Sequence, residues 1–288
     1  MTYTEKQYSG AYQLPPKKSG ITPATDRIRS VALEQTRIQS EAKYRPDNIS
    51  FYQDALVSPK VPEGGIPIIG TYCNMIPVEI ILAMGAETAR LGCGNPAAVP
   101  IGEEMIPGDV CPLVKASVGM NLCADSFVSK CSVFIIPTSC DAKKKLGEIL
   151  SDFKPVFMLN LPPEQNANLY LKQTAKELER MIAFISKHLK LKFDRKRLRD
   201  EIRKSNTRTS LLRRIQELRN SRPDILSVRD LFMIVQSSYF SHGQEWLDQT
   251  VDVVKWLERK EFEVPKPKLS RKRLVLTGAP MIFPNFKV

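Results

Sequence analysis

No Cys-x-x-Cys pair occurs anywhere in the chain, which removes the zinc ribbon and the ferredoxin-type cluster run from consideration. Histidine is scarce too. His188 and His242 are the only two, too few for a His-rich metal site and a poor basis for a Ser-His-Asp triad. No Gly-x-x-x-x-Gly-Lys-Ser/Thr run is present, so ATP is not held through a P-loop. No apolar run approaches the roughly 18 residues that a membrane span requires. The opening Met1-Thr-Tyr-Thr-Glu-Lys6 has no apolar signal core, so the expectation is a cytoplasmic protein with reduced thiols. Disulfides are then not expected, and the 6 cysteines are left for packing or for metal.

What is abundant is positive charge, and it is local. Lys and Arg number 43 against 31 Asp and Glu, a formal net charge of +12. Lys187 to Arg222 holds fourteen of those basic residues with few acids between them. Without a zinc finger or RNP-like signature, this run reads as a solvated helical face, suited to an acidic protein partner, ahead of a nucleic-acid footprint.

Taken in order, residues 1–58 read as a polar tail to Thr22, a helix over Ala24–Tyr44 and a short helix over Asn48–Leu56. Residues 59–161 alternate strand and helix, with strands expected at Ile66–Gly70, Glu87–Leu91, Ser132–Ile136 and Val156–Leu159. Short continuous apolar strands suit a mostly parallel sheet covered on both faces, with helices at Glu103–Met105 and Val114–Leu122 between them. Residues 162–262 are helical: Ala167–Leu189, a helix capped by Asp194, Ser227–Tyr239 and Gln244–Lys260, with Trp246 and Trp256 as core. These helices are expected to form a bundle between two α/β layers. Residues 263–288 are a linker followed by Leu274-Val-Leu-Thr-Gly278, the first strand of a second α/β domain. The fold class is thus α/β, with a parallel-sheet domain, a helical region and the start of a second sheet domain.

Three cysteines fall where a new helix begins. Cys73 follows the strand ending at Gly70, Cys111 precedes Pro112, and Cys140 follows the strand Ser132–Ile136. A helix N-terminus presents free N–H groups and positive partial charge, which favour a thiolate. In an open α/β sheet the carboxyl ends of neighbouring strands converge on one crevice, so three thiolates there make a ligand set for an iron–sulfur cluster. Taken singly, each cysteine reads first as a small core hydrophobe, and it is the shared placement of the three that points to a ligand set. Cys93, Cys123 and Cys131 read as packing residues.

The wording of this stretch carries more than its spacing. Gly70-Thr-Tyr-Cys-Asn-Met-Ile-Pro-Val-Glu79, Ala83-Met-Gly-Ala86, Cys111-Pro-Leu-Val-Lys115 and Ile136-Pro-Thr-Ser-Cys-Asp-Ala-Lys-Lys-Lys145 resemble the 2-hydroxyacyl-CoA dehydratase superfamily. Lys144–Pro155 and the closing Leu276–Lys287 look most like its double-cubane-cluster branch, ATP-dependent anaerobic reductases. The resemblance implies Cys73, Cys111 and Cys140 as ligands of a 4Fe-4S or double-cubane cluster. It also implies an ATP-hydrolysing iron–sulfur activator as partner, a homo- or heterodimer, and a low-potential reductase of a small unsaturated molecule. The alternative within enzymes is a subunit of a 2-hydroxyacyl-CoA dehydratase or benzoyl-CoA-type reductase. A third reading is a non-catalytic relative without a cluster. Lys115, one turn past Cys111, is either a catalytic candidate that holds an anionic substrate or tunes the cluster, or a helix-surface lysine. Glu79 matches the family's Pro-x-Glu segment and belongs to the site wall or a helix's first turn. Asp141 is expected to cap the helix after Cys140. The resemblance stops at Lys287-Val288 where relatives continue, so the chain is expected to be incomplete as a reductase, with Leu274-Val-Leu and Met281-Ile-Phe short of packing partners.

Overall fold

The structure, a computed structural model, describes residues 21–37, 45–123, 127–162, 166–223, 225–259 and 281–284. Four short strands organise it: β1 (Ile68–Thr71), β2 (Glu87–Arg90), β3 (Cys131–Pro137) and β4 (Val156–Leu159). They lie in the order β2-β1-β3-β4, every neighbouring pair parallel. Successive side chains of a strand point to opposite faces, and here both faces are covered. Ile69, Val133 and Ile135 point into one core, while Ile68, Phe134 and Ile136 point into another. That double burial is why the strands read as unbroken apolar runs.

Parallel neighbours need crossovers, and helices supply them. Helix α3 (Val78–Ala83) links β1 to β2, and α6 (Asp141–Leu150) links β3 to β4. The β2-to-β3 connection passes over β1 by way of a 3-10 turn (Pro96–Ala98), α4 (Val99–Gly102) and α5 (Pro112–Leu122). The expected helix at Glu103–Met105 is a turn instead. Its helical residues sit earlier, where the Asn95 side chain accepts the Ala97 N–H at 3.0 Å and Pro96 starts the coil at no hydrogen-bond cost. Strand β1 also begins two residues later than expected, after Pro67, whose carbonyl accepts the Glu87 N–H at 2.9 Å.

The helical region divides between the sheet and a helical core of its own. Helix α7 (Ala167–Leu189) lays Met181 and Ile185 under Ile69, Val133, Ile135 and Phe157, so it covers one face of the sheet. Asp194 caps α8 (Arg195–Ser221) as expected, its carboxylate accepting the Lys196 N–H at 2.7 Å. The first turns of α8 still touch the sheet core through Leu198, whereas Ile215 and Leu218 near its end enter a second core. That second core joins α2 (Ile49–Val57), α9 (Val228–Ser237) and α10 (Gln244–Glu258) around Trp246, which is fully buried. Arg45 ties the segment before α2 to this core, 2.9 Å from the buried Asp230 carboxylate. Helix α1 spans Ile21–Arg37 and so takes in the last two positions assigned to the polar tail; residues 38–44 and the rest of that tail lie outside the described residues.

The expected strand Leu274–Gly278 also lies outside the described residues. Met281–Pro284 does not, and it is not short of partners. Ile282 is buried over Gly92 and Gly94, and a Cβ on Gly94 would run into the Ile282 carbonyl. The Gly94 N–H donates to the Phe283 carbonyl at 3.2 Å, and Phe283 N–H to Gln236 Oε1 at 3.4 Å. Main-chain pairing on a glycine surface is what an apolar pattern alone does not reveal. Among the described residues no helix is long and apolar enough to cross a membrane.

His242 is buried between α8 and the loop before α10, its carbonyl accepting from the Arg208 guanidinium at 3.0 Å. Burial first, and then the charge of Arg208, push its imidazole down to about 3. The unfolded chain takes up a proton there near pH 6.5 that the folded chain refuses, so stability falls as pH drops below that value and levels off near the folded pKa. Chemical denaturation between pH 7 and 4 is expected to show this group's share, at most about 1.4 kcal/mol per pH unit, and His242→Gln to flatten the profile by that share.

Candidate functional site

The two central strands end side by side. Thr71 of β1 pairs with Ile135 of β3, and the Tyr72 N–H extends the ladder by one bond to the Ile135 carbonyl at 3.3 Å. Cys73 comes next, half-buried in the turn that leads to α3. Past the end of β3, the Thr138 N–H reaches the Leu159 carbonyl at 3.0 Å, and Cys140 then stands exposed at the N-cap of α6. Lys143, in the first turn of α6, reaches back across the gap. Its ammonium lies 3.1 Å from Cys73 Sγ and 3.0 Å from Ser139 Oγ. One side chain therefore ties the ends of β1 and β3 together.

That contact changes the chemistry of Cys73. Burial alone would raise the thiol, but the Met75 N–H, the Lys143 ammonium and the charges of Lys143 and Arg90 outweigh it and leave it below its ordinary value. Such a thiol carries more thiolate at neutral pH.

Cys111 is exposed at the N-cap of α5, where its carbonyl accepts the Val114 and Lys115 N–H groups at 2.9 and 3.1 Å. Helices α5 and α6 pack against each other. Each leads into the start of a parallel strand, so their N-termini lie toward the carboxyl edge of the sheet, the same edge that holds Cys73. Close packing fixes α5 there. Gly102 of α4 lies on the Lys115 carbonyl and Gly119 of α5 on the Ala98 carbonyl, with no room for a Cβ at either position.

Lys115 is neither a surface lysine nor turned to solvent. It is buried, with its ammonium 2.9 Å from Glu103 and hydrogen-bonded to the Gly108 carbonyl. It braces the loop that delivers Cys111. Glu79 lies half-buried in the first turn of α3, and its charge, with that of Glu201, works against the burial that lowers Arg208. Asp141 is the first residue of α6 rather than its cap, exposed and 3.0 Å from Lys144. The cap position belongs to Cys140, whose side chain makes no capping bond.

The other three cysteines are elsewhere. Cys93, Cys123 and Cys131 are all buried in apolar clusters, and burial pushes the Cys93 and Cys131 thiols up to about 12. Among the described residues no three His, Cys, Asp or Glu side chains are grouped to hold a single metal ion. Sequence reasoning passed over Lys143 and Arg90. The first sits three residues past Cys140, at helical spacing, and the second ends the strand beside β1, which were the signals available.

Thiols gathered at the carboxyl edge of a parallel sheet define a cysteine-bearing α/β protein. The family model described as 2-hydroxyglutaryl-CoA dehydratase, D-component, matches residues 73–288, and the chain belongs to that family. It is similar to the Escherichia coli (strain K12) protein YjiM, a dehydratase subunit by name, at 28% identity over 225 residues. The match covers 76% of this chain and 57% of YjiM, so the chain spans little more than half the length of that relative.

The Lys143–Cys73 contact is open to direct measurement. In metal-free protein, alkylation of Cys73 followed by peptide mass spectrometry is expected to titrate below the range of an ordinary thiol. Lys143→Met is expected to move that midpoint upward and to slow alkylation at pH 7 several-fold. An unchanged midpoint in the variant means that Lys143 does not hold the thiolate.

Proposed function

We propose that the chain is a D-component-type subunit of a 2-hydroxyacyl-CoA dehydratase, an oxygen-sensitive lyase, and that Cys73, Cys111 and Cys140 hold its iron–sulfur cluster. The observation that carries this reading is the position of Cys73 and Cys140 just past the carboxyl ends of adjacent parallel strands, tied by Lys143. The donor set fits such a group. Iron–sulfur clusters take thiolates on separate irons, so the sulfurs need not crowd around one ion. Two of the three thiols are exposed and the third is poised toward thiolate, whereas the remaining cysteines are buried with raised or packed thiols.

When bound, the cluster supplies a low-potential electron and an open iron for a thioester carbonyl. The chain's own residues would hold it and set the charge around it. Lys143 offsets the negative charge of the Cys73 thiolate, and the N-termini of α5 and α6 add positive partial charge at Cys111 and Cys140. The ion pair of buried Lys115 with exposed Glu103 fixes the loop ahead of Cys111, making Lys115 a positioning residue. An ATP-hydrolysing iron–sulfur activator and a second component of the dehydratase are the proposed partners, supported by the family's designation as a component. The dehydratase wording of both comparisons supports this reading over the double-cubane reductase.

Anaerobic reconstitution with iron and sulfide tests the ligand set. Ser at position 73, 111 or 140 is expected to cut bound iron by about half or more, because a hydroxyl does not replace the soft thiolate. Ala in place of Cys93, Cys123 or Cys131 is expected to leave iron unchanged; equal losses at all six would sink the assignment.

Electron counting separates the two enzyme readings. Loss of water from a 2-hydroxyacyl thioester is redox-neutral, so reductant is consumed well below one equivalent per product. A reductase consumes it in proportion. With activator, the second dehydratase component, ATP, a measured low-potential reductant and a 2-hydroxyacyl-CoA supplied, enoyl product without matching reductant consumption is expected.

A further inference from the structure

Lys143 Nζ and Cys73 Sγ stand 3.1 Å apart, an amine and a thiol in contact across 70 residues of sequence. Neither is held there by the other alone. The Tyr72 N–H bonds to the Ile135 carbonyl and so fixes the residue before Cys73 to the end of β3. Lys143 rides on α6, whose Leu146, Ile149 and Leu150 are buried in the sheet core, and its nitrogen has a second anchor on Ser139 Oγ at 3.0 Å. Cys73 and Lys143 are both half-buried, so a small solute reaches them, whereas Cys93, Cys123 and Cys131 are buried.

Two reactive groups pinned by separate parts of the fold meet at an effective concentration that no dissolved amine reaches. A thiol oxidised to sulfenic acid condenses with a neighbouring thiol or nitrogen. At Cys73 the neighbour in contact is the lysine nitrogen.

We propose that Cys73 and Lys143 form a reversible covalent N–S cross-link when the metal-free chain meets a peroxide. The Cys73 sulfur attacks the peroxide: an S–O bond forms, the O–O bond breaks, and the second oxygen leaves with the thiol proton as water. Lys143, as the free amine, then attacks that sulfur. The N–S bond forms, the S–O bond breaks, and the hydroxyl leaves with an amine proton as a second water. Thiol, amine and peroxide become one N–S link and two waters, with sulfur giving up the two electrons that the peroxide gains. Two thiols of a reductant reverse it, returning thiol and amine and leaving as a disulfide.

The link ties the ends of β1 and β3 covalently. It also holds Cys73 at the sulfenic level of oxidation, short of the irreversible sulfinic acid. If Cys73 is a cluster ligand, the link withholds it from iron until a reductant arrives. That consequence rests on the proposed ligand role; the cross-link itself does not.

The test uses the full metal-free chain, treated with hydrogen peroxide, alkylated with iodoacetamide, digested with chymotrypsin and read by peptide mass spectrometry. A Cys73 peptide joined to the Lys143 peptide is expected, two hydrogens lighter than the pair. Dithiothreitol is expected to separate the two and open Cys73 to alkylation. In Lys143→Arg the joined peptide is expected to vanish and Cys73 sulfinic acid to rise several-fold. That variant keeps a cation beside the sulfur, so the loss reports the amine and not the charge. Cys73 recovered from the parent chain only as free thiol, as sulfinic acid or as a disulfide with Cys140 overturns the proposal. So does a joined peptide that persists in Lys143→Arg. Iron is absent throughout, so none of these outcomes bears on the dehydratase reading.

Discussion

The parallel ladder between β1 and β3 is the constraint on which the rest depends. These are the two inner strands, and their side chains are buried on both faces. Because they run in the same direction, the chain must return between strands through helices, and each helix then starts at the carboxyl edge. Cys73 and Cys140 follow the carboxyl ends of these two strands for this reason, and Cys111 stands at the N-cap of the crossover helix α5. The same geometry supplies unpaired N–H groups and positive partial charge where thiolates need them.

Two cores meet along α8. Its first turns lie against the sheet core, its last turns lie in the core around Trp246, and the basic face between them remains outside. Much of that charge is already engaged. Arg203 and Lys204 pair with acids one turn away, Arg214 pairs with Glu258, and Arg208 is drawn inward over Trp246. A dense basic run in sequence is therefore partly spent on the helix's own packing, which weakens its reading as one continuous docking face. Exposed pairs of this kind add little to stability, so the cores rather than the charges hold α8 in place.

The edge strand β2 is managed differently from the inner ones. Tyr239 covers it by main-chain and ring contacts to Arg90, and Met281–Pro284 closes over the glycines that follow. An exposed parallel edge would otherwise offer unpaired groups to another chain. The covering segments come from more than a hundred residues away, which makes the edge a product of the whole fold.

Local pattern was enough to place the four strands to within two residues and the caps of α8 and α9, though not that of α6, where Cys140 rather than Asp141 takes the cap position. Double-faced burial writes a continuous apolar run, and Asp194 and Ser227 are short polar side chains that satisfy helix N–H groups within three residues of themselves. The placement of Cys111 and Cys140 at helix N-caps was legible for the same reason, whereas Cys73, also expected at a helix start, sits in the turn five residues before α3. What needed tertiary structure was every choice of partner. An amphipathic helix declares an apolar face but not what it covers, so α7 was read into a bundle and instead lies on the sheet. Lys115 and Lys143 look alike as helix-surface lysines; one is buried against Glu103 and the other faces a thiol, because the loops and strands around them decide which anion is near. That Arg90 would stack its guanidinium on Tyr239 and leave its Nε without a hydrogen-bond partner was unreadable, since both depend on the space around the group and not on its sequence. Sequence by itself determined which segments would be buried and which thiols would follow a strand or open a helix; only the folded chain decided what each of them meets, because contacts between residues far apart leave no mark on local periodicity.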